Sequence, residues 1–154
     1  MTTPLPRWQR PLGSVLVLAQ FGLLLTLLVQ AALTKAAPTP AAVVLASGAL
    51  ALGLWTLWHN RLGNFNIHPE PKASAHLVTS GPYRWIRHPM YSAVLLGAAA
   101  LAATAQNALA WTLWLFLLAV LWAKARLEER WLTHHYPPYH AYCQHSKRFI
   151  PWVW

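Results

Sequence analysis

Two groups of residues in this chain have the types and spacing for chemistry. The first is Leu77-Val-Thr-Ser-Gly-Pro-Tyr-Arg-Trp-Ile-Arg-His-Pro-Met-Tyr91, a polar, basic and aromatic segment that enters an apolar run through His88-Pro89. The second is Lys124-Ala-Arg-Leu-Glu-Glu-Arg130, at the far end of the apolar residues 90–123. The chain has three acidic residues, Glu70, Glu128 and Glu129, and no Asp. Two of the three carboxylates therefore lie side by side at the end of an apolar run, a place where charge is costly unless it is used. A carboxylate there accepts hydrogen bonds from hydroxyls or amines, and tyrosine rings face a cation or pack on a flat ligand. Pro89 suits the first turn of a helix, with His88 near the N-cap and Tyr91 about one turn inside. The free N–H groups of such a helix start favour a carboxylate or phosphate, and Arg84 and Arg87 add positive charge.

Each group also has a plainer reading. Arg, Tyr and Trp in the first can anchor a loop at lipid headgroups. Lys124 and Glu128, four residues apart, share one helical face and can form a weak surface pair of about 0.2–0.5 kcal/mol. Two features favour a joint site. Residues 59–89 form a longer polar stretch than anchoring requires, and a hairpin over 90–123 would return Glu128 to the side that carries His88. A third cluster, His134, His135, His140 and His145 with Cys143, invites a metal. The spacing does not align these histidines on one helical face and Pro137-Pro138 interrupts them, so a surface tail is expected and no metal site. Cys143 is the single cysteine, which excludes an internal disulfide.

The elements that must position these residues are membrane helices. Hydrophobic residues make up 56% of the 154 and charged residues 10%, against roughly 25% charged in a soluble domain. Leu12–Thr34 is an uncharged run long enough to cross a hydrocarbon core of about 30 Å, and too long for the apolar core of a cleaved leader. Residues 41–58 form a second run. Met90–Ala123 divides at Thr104-Ala-Gln-Asn107 into two shorter stretches, read as a helical hairpin. The expectation is an all-α integral membrane bundle in one domain, with about four helices over 12–34, 41–58, 90–105 and 108–124. A loop over 59–89 and a tail over 125–154 complete it. Eleven of the twelve Lys and Arg fall at the N-terminus, in the loop or from Lys124 onward, which places those regions and both termini in the cytoplasm. The net charge of +9 is spread along membrane flanks, so nucleic acid is not expected as a partner. Membrane lipids are.

Taken in order, these pieces resemble the isoprenylcysteine carboxyl methyltransferase family of integral membrane enzymes and, more distantly, phospholipid N-methyltransferases. The matching pieces are residues 77–83, Arg87-His88-Pro89-Met90-Tyr91, Glu128-Glu129, Tyr139-His-Ala-Tyr142 and Lys147-Arg148-Phe149-Ile150-Pro151. The resemblance implies S-adenosylmethionine as methyl donor, held by His76, Leu77, Val78, Tyr83, His88, Pro89, Tyr91 and Glu128. It implies that Lys124 and Arg126 meet the acceptor as the catalytic pair, Lys124 standing where the family often has Arg. It also implies a lipophilic acceptor, a prenylated carboxylate or a lipid, reaching the site from within the membrane. Ala93 occupies a position that is usually Gly in the family. Three other readings stand beside this one: a phospholipid N-methyltransferase, an NADPH-dependent reductase of the sterol-reductase type, and a non-catalytic membrane protein. No Gly-x-Gly-x-x-Gly occurs, which excludes the soluble dinucleotide-binding fold.

Overall fold

The computed structural model describes residues 9–34, 36–60 and 77–151. His76 and most of the loop expected over 59–89 lie outside them. Among the described residues five helices follow in order: α1 (Gln9–Thr34), α2 (Pro40–Asn60), α3 (Pro89–Ala105), α4 (Ala108–His135) and the short α5 (Tyr139–His145). A 3₁₀ turn, Gly81–Arg84, precedes α3. Among the described residues the only extended pairing is an isolated parallel bridge between Ile86 and Lys147.

Among the described residues three helices, α1, α2 and α4, are long and apolar enough to cross a membrane. With 17 residues, α3 is about 25 Å long, short of a hydrocarbon core of about 30 Å. The architecture is thus the expected helical membrane bundle, with a third helix shorter than its neighbours. Apolar side chains cover its outer surface; Leu18, Leu33, Val44 and Trp58 are among the most exposed. Lipid is the solvent that such a surface requires.

One boundary differs from the sequence reading. α4 continues to His135 and does not end at Lys124. The residues beyond Lys124 are mainly Ala, Arg, Leu and Glu, which favour helix, and no Gly or Pro intervenes before Pro137. The 28 residues of α4 extend about 42 Å, so the charged turns project past the hydrocarbon. Glu128 and Glu129 therefore stand on a rigid rod.

The interruption at 104–107 is the tip of the α3–α4 hairpin. Gln106 takes a left-handed conformation, φ 53°. Asn107 caps α4, its side chain accepting from the Ala110 N–H at 2.8 Å and donating to the Ala105 carbonyl at 3.1 Å. Small residues then set the packing, as they must where lipid removes the hydrophobic drive between helices. A Cβ placed on Gly53 of α2 would lie 3.8 Å from that of Ala93, and one on Gly97 would lie 3.7 Å from that of Ala49. Ala93 is accommodated because α2 presents a glycine to it. α3 also packs against α1 and α4, through Leu95, Ala98 and Ala102 with Leu27, Leu117 and Leu121.

Two straps bind the polar segments to this bundle. At the first, Gly81 (φ 59°) turns beneath the His59 ring, and Trp85 packs on Trp55 with centroids 5.8 Å apart. At the second, the C-terminal tail runs beside residues 85–88. Arg87 N–H donates to the Lys147 carbonyl (2.7 Å), His88 N–H to that of Arg148 (3.1 Å), and Lys147 N–H to that of Trp85 (2.9 Å). Tyr142 donates to the Tyr83 carbonyl at 2.5 Å and Ser92 to that of Phe149 at 2.7 Å.

Gly81→Ala tests the first strap. An L-residue at this φ carries about 1–2 kcal/mol of strain, and the new methyl group collides with His59. The expected result is a lower melting temperature in detergent; an unchanged one would show that the turn is not held there.

Candidate active site

The hairpin brings the start of α3 beside the charged end of α4. His88 is the N-cap residue of α3 and Pro89 its first residue, as the His-Pro pair predicts. Tyr91 follows within the first turn, and its ring stacks on that of His88 with centroids 5.2 Å apart and planes 4° from parallel. Phe149, from the tail, closes against both rings. The Tyr91 hydroxyl donates to Glu128 Oε2 at 2.8 Å.

The two carboxylates then divide. Glu129 is a hub, with a side chain only 14% exposed. Arg87 Nε donates to its Oε1 at 2.8 Å. Arg148 closes a two-point contact, Nε to Oε1 at 3.1 Å and Nη2 to Oε2 at 2.6 Å. His88 Nε2 lies 3.3 Å from Oε1. Two guanidinium groups around one carboxylate favour its charged form, and the forked contact fixes its direction. Arg87 also donates to the Cys143 and Ser146 carbonyls, which ties α5 to the same centre. Burial alone would lower the Arg87 basicity, but the bond to Glu129 outweighs it and holds this guanidinium above its usual value. Glu128 is freer. Its side chain is 30% exposed, with Oε2 3.6 Å from His88 Nδ1, a charge contact too long for a hydrogen bond. Among the described residues nothing donates to its Oε1.

Lys124 completes the cluster from one turn earlier on α4. It is 2% exposed, its Nζ stands 5.2 Å from the Tyr91 ring centroid, and it donates to Gln20 Oε1 of α1 at 2.7 Å. Lys124 and Glu128 thus share a face, but the lysine's hydrogen bond goes to the first helix. Tyr83 approaches from the 3₁₀ turn. Burial, then the charge of Glu128, pushes its hydroxyl well above the usual tyrosine range, so it stays a neutral donor beside that carboxylate.

Of the residues singled out in the sequence, Tyr83, His88, Pro89, Tyr91, Lys124 and Glu128 are brought together. Leu77 and Val78 lie half-buried in the segment before the 3₁₀ turn. Arg126 is not brought in. Two residues from Lys124, it points away and lies over the Trp122 ring at 4.7 Å. Arg84 is exposed. Among the described residues no group of three or more His, Cys, Asp or Glu is placed to hold a metal ion. Burial raises the Cys143 thiol above its usual value, which leaves it poorly suited as a nucleophile. The sequence reading gave no role to Glu129, Arg148, Phe149 or Gln20. For Glu129 the sequence offers only its place beside Glu128 in a chain with three acidic residues. Gln20 carries only the weak mark of a polar residue inside an apolar helix.

Comparison with known proteins adds the following. The phospholipid methyltransferase family profile matches residues 41–138, a stretch that includes His88, Tyr91, Lys124 and both glutamates. The cobalt-zinc-cadmium resistance protein CzcN of Cupriavidus metallidurans is 34% identical over 76 residues, covering 49% of this chain and 35% of the relative. The nickel-cobalt-cadmium resistance protein NccN of Alcaligenes xylosoxydans xylosoxydans is 28% identical over 86 residues, 55% of this chain and 40% of the relative. The chain therefore matches well under half the length of these curated relatives. No solved structure matches.

Glu129→Gln leaves Arg87 and Arg148 facing a neutral amide in a partly buried place. A loss of roughly 3 kcal/mol is expected, read as an earlier unfolding transition in detergent together with faster proteolysis of the tail. Wild-type stability in this variant would mean that the hub carries no weight.

Proposed function

Since this chain belongs to the phospholipid methyltransferase family, we propose that it is a membrane methyltransferase that moves a methyl group from S-adenosylmethionine to a lipophilic acceptor. The observation that carries this reading is the cluster of Tyr83, Tyr91 and His88 with Glu128, whose Oε2 meets Tyr91 and whose Oε1 takes no hydrogen bond from the described residues. Such a set suits the donor: a carboxylate for ribose hydroxyls or an amino group, and aromatic faces for adenine or a sulfonium. Leu77, Val78 and Pro89 would add apolar contact. His76 keeps its place in this reading through the resemblance alone.

When bound, the donor supplies an electrophilic methyl group on sulfur. The residues of the chain then act by position. Glu128, oriented by Tyr91, fixes one end of the donor. The stack of His88 on Tyr91, closed by Phe149, keeps water from that side. Lys124, buried with Gln20 as its hydrogen-bond partner and further N–H donors to spare, would face the acceptor. That amine favours an acceptor bearing an acidic group, such as the carboxylate of a prenylated cysteine, which attacks without a base. An amine acceptor is the second reading, and it requires a group that takes up a proton. Holding two reactants in line is worth up to about 7–11 kcal/mol in ideal cases, so positioning alone can carry the catalysis. Arg126 has no part in this arrangement. The distribution of Lys and Arg supports a site on the cytoplasmic face, with both termini there.

The test is methyl transfer from labelled S-adenosylmethionine into a lipid extract by the purified chain. Glu128→Gln should lower donor affinity by about tenfold or more, the value of a lost charge-assisted hydrogen bond, and transfer should fall with it. A folded Glu128→Gln protein that binds the donor like wild type would contradict the assignment.

A further inference from the structure

The end of α4 carries a second polar feature, on a different side from Lys124 and Glu128. Arg126, Glu129, Arg130 and Thr133 recur at helical spacing along one stripe, and Arg148 of the tail faces them. Together they line a groove of about 300 Å³, at the small end of the range for ligand sites. We propose that this groove is a binding site for the phosphate group of a membrane lipid. The inference goes beyond the methyl-transfer reading and does not rest on it.

Charge is the first argument. Three arginines face one carboxylate, and Glu129 is already shared by Arg87, Arg148 and His88. Nothing is left for the other two: among the described residues neither Arg126 nor Arg130 meets a carboxylate. The Arg126 guanidinium lies over the Trp122 ring at 4.7 Å, a contact with the ring face that leaves its edge donors available. Arg148, held by two contacts to Glu129, offers its remaining amino group from the opposite wall. Guanidinium groups match the oxygens of a phosphate through two-point contacts.

Depth is the second argument. Arg126 lies about 27 Å along α4 from Ala108 and Arg130 about 33 Å, so the groove straddles the edge of a hydrocarbon core of about 30 Å. Lipid phosphates lie at that level. Ordinary anchoring would need only scattered exposed cations, whereas here one wall is held in place by the hub that also positions His88.

Native mass spectrometry of the full chain released from detergent tests this. Phosphatidylglycerol, a diacylglycerol with the same acyl chains and inorganic phosphate are offered in turn. Phosphatidylglycerol should be retained and the diacylglycerol should not. Arg126→Gln with Arg130→Gln should weaken retention about tenfold, and the matching lysine pair should restore part of it. Equal retention of both lipids, or a double variant that holds phosphatidylglycerol like wild type, would overturn the site. Inorganic phosphate retained as tightly as the lipid would overturn the lipid as its source. S-adenosylmethionine binding by Arg130→Gln is measured on the same samples. Lost lipid with normal donor binding supports two separate sites. No donor binding by wild type would count against the methyl-transfer reading and leave the lipid site standing.

Discussion

The structure depends on one carboxylate at the edge of a membrane. Glu129 holds Arg87 from the segment before α3, His88 from the cap of α3, and Arg148 from the tail. With Glu129 itself, these groups come from three stretches of chain, residues 87–88, α4 and the tail, which meet beside the buried Ile86, Leu127 and Phe149. In a chain with three acidic residues, the hub cannot be replaced by a neighbouring pair. Its geometry sets the position of the His88 ring, hence that of Tyr91 stacked upon it, hence the orientation of Glu128. The polar site is thus assembled by charge at its rim and by alanine and glycine contacts within the bundle below.

This arrangement explains why two adjacent glutamates do different work. Successive residues on a helix point about 100° apart, so Glu129 turns towards the tail while Glu128 turns towards α3. The first is saturated with donors. The second keeps an oxygen to offer and a third of its surface open. Lys124 enters on the Glu128 side and is tied to α1 through Gln20, which makes the first helix part of the site and not merely part of the anchor.

Much of this was legible in the residues. The apolar runs located the helices, Thr104–Asn107 located the hairpin tip, and His88-Pro89 located the start of α3, because caps and breakers act locally. The hairpin also put Glu128 beside His88, which is a matter of two helix lengths. What could not be read depends on side-chain direction or on distant pairing. Arg126 looked equivalent to Lys124 until the helix was seen to place them on different faces. The continuation of α4 to His135 was obscured by its charged composition, which reads as a tail when a membrane span is expected to end at the first charge. Glu129 as hub required knowing that the tail returns to residues 85–88, a pairing made through backbone groups that leave no trace in side-chain type.

The most direct measurement is a calorimetric titration of the purified chain with S-adenosylmethionine, with NADPH titrated in parallel. The account predicts saturable binding of the methyl donor and none of NADPH. Binding of NADPH alone would assign the Tyr83, Tyr91, His88 and Glu128 cluster to a reductase, and binding of neither would leave it without a nucleotide ligand; either result contradicts the account.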